Sequence, residues 1–191
     1  MASVPFTELY SSRLILRRLR REDAAALCAY RSAPEVARFQ SWETFDTEDG
    51  ARLIAGQSGH SPDIPGTWFQ LAITRADSGE MIGDCGLHCR QEDPRQMEIG
   101  ITLAPAHQGH GYATEALGVV LDYLFVRLGK HRVTATTDAD NAAAAALLRR
   151  LGFRREGHFI DNVWFKGKWG SEFSFALLRR EWEQRQPAGC T

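Results

Sequence analysis

Cysteine, proline and long apolar runs are all scarce in this chain of 191 residues, which has 4 Cys and 7 Pro. No apolar stretch approaches the roughly 20 residues that span a bilayer. The cysteines are scattered: Cys28 falls in a helical pattern, Cys190 lies near the end, and Cys85 and Cys89 flank His88 in CGLHC. That pentapeptide invites a metal reading, but a closed zinc site needs four ligands in tetrahedral geometry and no second Cys/His cluster supplies the rest. Reduced, half-buried strand cysteines and no metal are expected. An excess of one charge is missing too. Lys and Arg number 23 against 24 Asp and Glu, so no global field draws the chain to nucleic acid or to an anionic membrane. The opening MASVPFTELYSS has neither the basic region nor the apolar core of a secretory signal. These absences predict a soluble cytoplasmic protein without direct nucleic-acid or membrane partners.

What is present suits one compact domain. At 43% apolar and 25% charged residues, residues 1–191 read as a single α/β unit, with a core of about 10–184 and a short tail at 185–191. SRLILRRL alternates as a first strand, REDAAALCAYRSA opens a helix on acidic residues, and SAPEVARF and TEDGARLIAGQ look like further short helices. TWFQLAITR, MIGDCGLHC and MEIGITLA, joined by short turns, predict an antiparallel meander. Ala113, Ala116, Leu117, Val120, Leu121 and Leu124 then fall on one face of a helix. HRVTATTDA follows as a strand, so strand, helix and strand predict a β-α-β unit with its two strands parallel. NAAAAALLRRLGF is a helix, FRREGHF a strand, the aromatic and glycine-rich stretch after it a loop, and SEFSFALL a last strand.

At the start of the central helix stands HQGHGYATEAL. No lysine and Ser/Thr follow its last glycine, and Thr114 stands where a dinucleotide fingerprint needs a third glycine, so neither nucleotide motif fits. What remains is the general mechanism: backbone N–H groups at a helix N-terminus, unshielded by Cβ atoms, cradle a phosphate. The competing reading is a tight strand-to-helix turn.

Gln108-x-x-Gly111-x-Ala113 matches the Q/R-x-x-G-x-G/A loop, and the chain resembles the GCN5-related N-acetyltransferase (GNAT) superfamily. EIGITLAPAHQGHGYATEAL and DADNAAAAALLRRLGFRREG extend the likeness. SSRLILRRLRREDA and FKGKWGSEFSFALLRREW are similar to the ribosomal-protein-alanine N-acetyltransferase (RimJ/RimL-type) branch. The resemblance implies a mixed twisted sheet of about 6–7 strands flanked by about four helices. It also implies acetyl-CoA as cosubstrate. The pyrophosphate would rest on Gln108, Gly109, His110, Gly111, Tyr112 and Ala113, and the pantetheine arm would lie against Ile101, Thr102 and Leu103 like an added strand. Asn141 matches a residue that contacts that arm, and reads equally well as a helix N-cap.

Direct attack of an amine on the thioester needs a base, for which Glu98 is the candidate, with His88 within possible reach of the same cleft. At the positions where the superfamily carries a tyrosine or serine hydroxyl, this chain has Leu148 and Ala144. Water, or Tyr112, is then expected to protonate the thiolate. Glu43, Asp46, Glu48 and Asp49 form an acidic stretch that would suit a cationic acceptor or simply a helix start. The leading expectation is transfer of acetyl to a protein N-terminal α-amine. Alternatives are a small-molecule amine, such as an amino acid, a polyamine or an aminoglycoside, and an acyl-CoA-binding module with little turnover. The oligomeric expectation is a monomer or a homodimer.

Overall fold

The computed structural model describes residues 6–185 except position 58. Cys190 and the tail beyond 185 lie outside the described residues. Strands β1 (Leu9–Tyr10) and β2 (Leu14–Arg18) lead into helices α1 (Ala24–Arg31), α2 (Pro34–Ala37) and α3 (Thr47–Ala55). The meander β3 (Trp68–Arg75), β4 (Met81–Cys89) and β5 (Gln96–Leu103) follows, then α4 (Tyr112–Asp122), β6 (Arg132–Asp138) and α5 (Ala142–Arg150). The hairpin β7 (Arg154–Phe165) and β8 (Lys168–Leu178) and helix α6 (Arg179–Arg185) close the described chain.

All the strands join one sheet in the order β1-β2-β3-β4-β5-β6-β8-β7. Only β5 and β6 run parallel, and their pairing is short, from Gln96 opposite Arg132 to Glu98 opposite Thr134. Alternation of side chains across the strands sorts the two faces. Leu71, Ile73, Cys85, Leu87, Met97, Ile99, Val133, Phe175 and Leu177 go to one face, where Ala116, Leu117, Val120 and Leu121 of α4 and Leu148 of α5 pack on them. The opposite face carries a smaller cluster of Leu27, Tyr30 and Phe45 beneath α1 and α3. Cys85 and Cys89 are fully buried on the core face rather than half-buried, and their burial pushes both thiols up in pKa. His88, of the other parity, points to the opposite face, so the CGLHC residues do not converge.

Among the described residues the sheet has eight strands rather than six or seven, and there are six α-helices rather than about four. Two-residue β1 is too short to show a period. Residues 160–170, expected as a loop, continue β7 and β8 to a tight turn at Lys166 and Gly167, both at positive φ. As the edge strand, β7 is exposed along nearly its whole length, so it lacks the buried face whose alternation marks a strand. Helix α6 buries Trp182 alone, with too little apolar signal to register.

Charge ties the edge strand to its neighbours. Glu156 of β7 accepts from Arg132 of β6 and, at 2.6 Å, from Arg154, which also reaches Glu181 of α6. The Arg132 hydrogen bond, reinforced by Arg154 and opposed by modest burial, lowers the Glu156 carboxyl from 4.5 to about 2. Because the folded value is depressed, the stabilisation is complete above pH 4.5 and is lost as pH falls toward 2. Glu156→Gln should therefore lower stability near pH 7 by no more than about 1 kcal/mol for so open a network. Calorimetric melting at pH 7 and pH 3 checks this, the difference from wild type shrinking at the lower pH.

Candidate functional site

Beyond Glu98 and Thr134 the two parallel strands part. Residues 99–103 of β5 keep only β4 as a partner, and residues 135–138 of β6 keep only β8. Two strands diverging in mid-sheet leave facing rows of backbone N–H and C=O groups without partners across the gap, and such groups are stable only when something else pairs with them. The gap opens into a cleft of about 550 Å³. Its floor is Ile99, Gly100, Ile101 and Thr102 on one side and Ala135, Thr136, Thr137 and Asp138 on the other, with Leu117, Ala144 and Leu148 among the helix residues lining it.

Asn141 also lines the cleft while capping α5, its Oδ1 accepting from the Ala144 N–H at 3.0 Å. Both of its expected roles are thus geometrically open, since the cap uses the side-chain oxygen and leaves the amide NH₂. Leu103 is buried and does not line the cleft; its carbonyl is taken by Gln108 Nε2 at 3.1 Å. That bond ties the glycine loop to the end of β5. Gly109 and Gly111 have φ of 78° and 82°, in the left-handed region. A Cβ at Gly109 would meet nothing within 4 Å, and one at Gly111 only Arg13 Nη2, at 3.5 Å. These glycines therefore answer a backbone requirement rather than crowding. The N–H groups of Gly109, His110 and Gly111 donate to no protein acceptor among the described residues, and they precede α4, whose N-cap Gly111 brings no side-chain cap. Ala113 is in the first turn of that helix. The loop follows the strand gap in sequence; between them Ala104, His107 and Gln108 donate their N–H groups within the protein and Pro105 has none, so the open donors fall in two groups.

Glu98 marks the apex of the gap. Its Oε2 lies 3.7 Å from Arg90 Nη2 and 3.9 Å from His88 Nδ1. The His88 ring stacks on Trp68 at 4.9 Å, and Trp68 in turn lines the cleft. Glu98 therefore shares a sheet face with Gly100 and Thr102 but is set one residue pair behind the lining. Tyr112 stands outside the lining altogether. Its ring packs under the Arg13 guanidinium, 4.5 Å from it, and beside His110.

Sequence reasoning missed the polar network under the cleft. Asp84, 1% exposed in the middle of β4, accepts from Tyr30, from both sides of the Arg31 guanidinium and from Gln70. Arg31 and Gln70 line the cleft. Burial pulls the Arg31 pKa down, but the Asp84 charge and hydrogen bonds outweigh it and hold it above the ordinary value. Burial first, then Asp84, pushes the Tyr30 phenol up. Arg31 also lies under Trp42, at 4.6 Å, and Trp42 Nε1 donates to the Arg31 carbonyl at 3.0 Å. One signal was present: an aspartate within the apolar strand MIGDCGLHC must have a buried partner. The acidic stretch has a different place. Asp46 and Asp49 form a reciprocal capping box at α3, and Arg52 pairs with Glu48 and Asp49. None of the four lines the cleft.

A parted parallel pair that opens into the cleft is followed by a glycine loop and a helix start. The acetyltransferase (GNAT) domain model matches residues 13–154, and the chain belongs to this family of N-acetyltransferases. It is 33% identical over 174 residues to the uncharacterized N-acetyltransferase p20 of Bacillus licheniformis, covering 91% of this chain and 97% of that one. A spermidine N-acetyltransferase from Vibrio cholerae, solved with CoA and spermine, superposes with TM-score 0.79 at 22% identity, over 91% of this chain and 99% of that one. Mycobacterium smegmatis RimJ in complex with CoA-disulfide gives TM-score 0.77 at 25% identity, over 91% and 84%.

The Asp84 network yields a stability prediction. Asp84→Ala strands the buried Arg31 charge and should cost about 3–5 kcal/mol, as breaking a buried ion pair does. Tyr30→Phe, which leaves Asp84 its other donors, should cost about 0.5–1.5 kcal/mol. Urea unfolding of the two variants, followed by circular dichroism, checks the ranking.

Proposed function

We propose that this enzyme transfers an acetyl group from acetyl-CoA to the free α-amine of a peptide N-terminus. The observation that carries the first half is the parting of β5 and β6 after Glu98. It leaves an open strand edge for the pantetheine arm to pair with along Ile101 and Thr102, and one short turn later the chain presents the open N–H groups at residues 109–111. The residues present fit the cosubstrate: a run of donors for its amides and carbonyls, two glycines with no side chain over the diphosphate, and Asn141 with a free amide NH₂ at the gap. When bound, acetyl-CoA supplies the thioester that the acceptor amine attacks.

The chain's own residues then position and move protons. Glu98 takes the proton of the incoming ammonium, directly or through a water, from its place at the apex. Arg90 Nη2 and His88 Nδ1 stand beside that carboxylate at 3.7 and 3.9 Å. Neither Ala144 nor Leu148 offers a hydroxyl to the departing sulfur, and Tyr112 is packed under Arg13. A proton from solvent serves the thiolate, which is a tolerable leaving group with a pKa near 8.5. Catalysis rests chiefly on positioning in such a site.

For the acceptor, the composition of the cleft favours a peptide end over a polyamine. Phe39, Trp42, Trp68 and Phe165 line it. Its two lining carboxylates besides the buried network, Asp138 and Glu172, already accept from the Asp140 N–H and from Asn162. Asp46, Glu48 and Asp49 cap and brace α3. An α-amine of pKa near 8 also demands less of its base than a polyamine nitrogen does. Relatives named for both chemistries exist, a putative ribosomal N-acetyltransferase of Bacillus subtilis and the spermidine N(1)-acetyltransferases of Vibrio cholerae and Escherichia coli among them.

Thiol release from acetyl-CoA with short peptides of varied first residue and with spermidine as parallel acceptors tests the reading. Peptides should be preferred, and Glu98→Gln should lower turnover by roughly 10²–10⁴ with acetyl-CoA affinity unchanged. Faster turnover of spermidine than of any peptide would replace the acceptor assignment. Equal turnover by wild type and Glu98→Gln at pH 6.5 would remove Glu98 as the base.

A further inference from the structure

We propose that Arg13, braced by Glu115, is a positioning residue for the glycine loop: it turns the loop's N–H groups outward and so sets the affinity for the diphosphate of coenzyme A. The inference rests on the reading of residues 108–113 as the diphosphate seat.

Arg13 lies in the turn between β1 and β2, far from the loop in sequence. Its Nε and Nη2 close on Glu115 Oε2 at 2.7 and 2.6 Å. Its backbone N–H donates to Glu115 Oε1 at 2.8 Å, and the same oxygen accepts from Ser11 Oγ at 2.7 Å and Ser12 Oγ at 3.0 Å. Three consecutive residues of the turn are thus committed to one carboxylate in the first turn of α4. From that anchor Arg13 Nη1 donates to the His110 carbonyl at 3.1 Å, and the guanidinium lies over the Tyr112 ring.

Two physical effects follow. The peptide between His110 and Gly111 is planar and trans, so a carbonyl pinned toward Arg13 points the Gly111 N–H the opposite way, toward the open side of the loop. The Gln108–Gly109 peptide, which carries the Gly109 N–H, is held in the same manner, because His110 Nδ1 lies 2.7 Å from the Gln108 carbonyl. A loop with two glycines at positive φ is otherwise free to rotate these peptides, and outside contacts must fix them. The second effect is charge. Burial works against ionisation of Glu115, but its hydrogen bonds to Ser11, Arg13 and Ser12 outweigh this and hold its carboxyl below the ordinary glutamate value. It is therefore an anion one turn inside the helix end that must receive another anion. Arg13 neutralises it in place, which keeps the helix terminus attractive to a diphosphate.

Three folded variants, checked by circular dichroism, test this: Arg13→Ala, Arg13→Lys and Glu115→Gln. Calorimetry measures CoA binding, and kinetics compare acetyl-CoA with S-acetylpantetheine, which has the same thioester and no diphosphate. Arg13→Ala and Glu115→Gln should weaken CoA by tenfold or more, about 1.4 kcal/mol. The KM for acetyl-CoA should rise with kcat within about twofold, and kcat/KM for S-acetylpantetheine should stay within about twofold of wild type. Arg13→Lys keeps the charge without the planar fork and should fall between. If the charge variants fail to fold, Ser12→Ala removes one brace from Glu115 and should show the same selectivity at smaller size. Unchanged CoA affinity, or equal loss for both thioesters, overturns the proposal, the latter by showing a merely structural role. A wild type that uses both thioesters with equal kcat/KM would overturn the diphosphate seat itself, and with it the proposal; wild type alone reveals that failure, so the two are distinguishable.

Discussion

The constraint on which the structure turns is the obligation of backbone polar groups to find partners. A sheet that stayed closed from β1 to β7 would satisfy them internally and offer nothing. Here the parallel ladder of β5 and β6 ends at Glu98 and Thr134, because β6 continues along β8 to the Asp138 and Glu172 pair while β5 continues along β4 to the Leu103 and Gly83 pair. Each strand is satisfied on its outer side and open on its inner side. The whole site is arranged around that wedge, with Glu98 at its apex, Leu117 and Leu148 beneath, and the glycine loop where β5 runs out.

The two faces of the sheet serve the wedge differently. On one, α4 and α5 are packed against an apolar core, so the helix that presents its N-terminus to the loop cannot shift without disturbing Leu117, Val120 and Leu121, all essentially inaccessible to solvent. On the other, α1 and the segment through Trp42 are held by a charged anchor, Asp84 with Arg31 and Tyr30. An apolar contact of that size would tolerate sliding, whereas a buried ion pair with fixed hydrogen-bond directions does not. The wall formed by α4 and α5 is thus set by packing, and the wall formed by α1 and Trp42 by polar geometry. Gln40 Nε2, which donates to Thr102 Oγ1 at 3.2 Å, joins the segment through Trp42 to the β5 floor.

Where one face of an element is buried, its period was legible in the residues: the meander, the α4 stripe and the β-α-β crossover stand within a residue or two of expectation. The glycine loop was legible because its chemistry is local, two glycines before an apolar-striped helix. Residues 160–170 were not, since an edge hairpin solvated on both faces has no period to read. Long-range partners were equally hidden. Nothing in RLILRR says that Arg13 closes on Glu115, and nothing in REDAAALCAYR says that Arg31 is buried against Asp84, because the pairing is decided by strand register and helix placement. The acidic stretch illustrates the converse: in a pattern suggestive of a substrate feature, Asp46 and Asp49 form a capping box and Glu48 pairs with Arg52. Glu98 came from the strand pattern and the family likeness, while its neighbours His88, Arg90 and Trp68 depended on the β3, β4 and β5 register.

Amide hydrogen exchange, read with and without saturating acetyl-CoA, tests the central claim most directly. If the open inner edge of β5 is the seat of the cosubstrate, residues 99–103 and 109–113 should gain protection together on binding, with β1 and α3 unchanged. Saturating binding that leaves residues 99–103 exchanging as in the free protein would contradict the claim that the parted strands form the site.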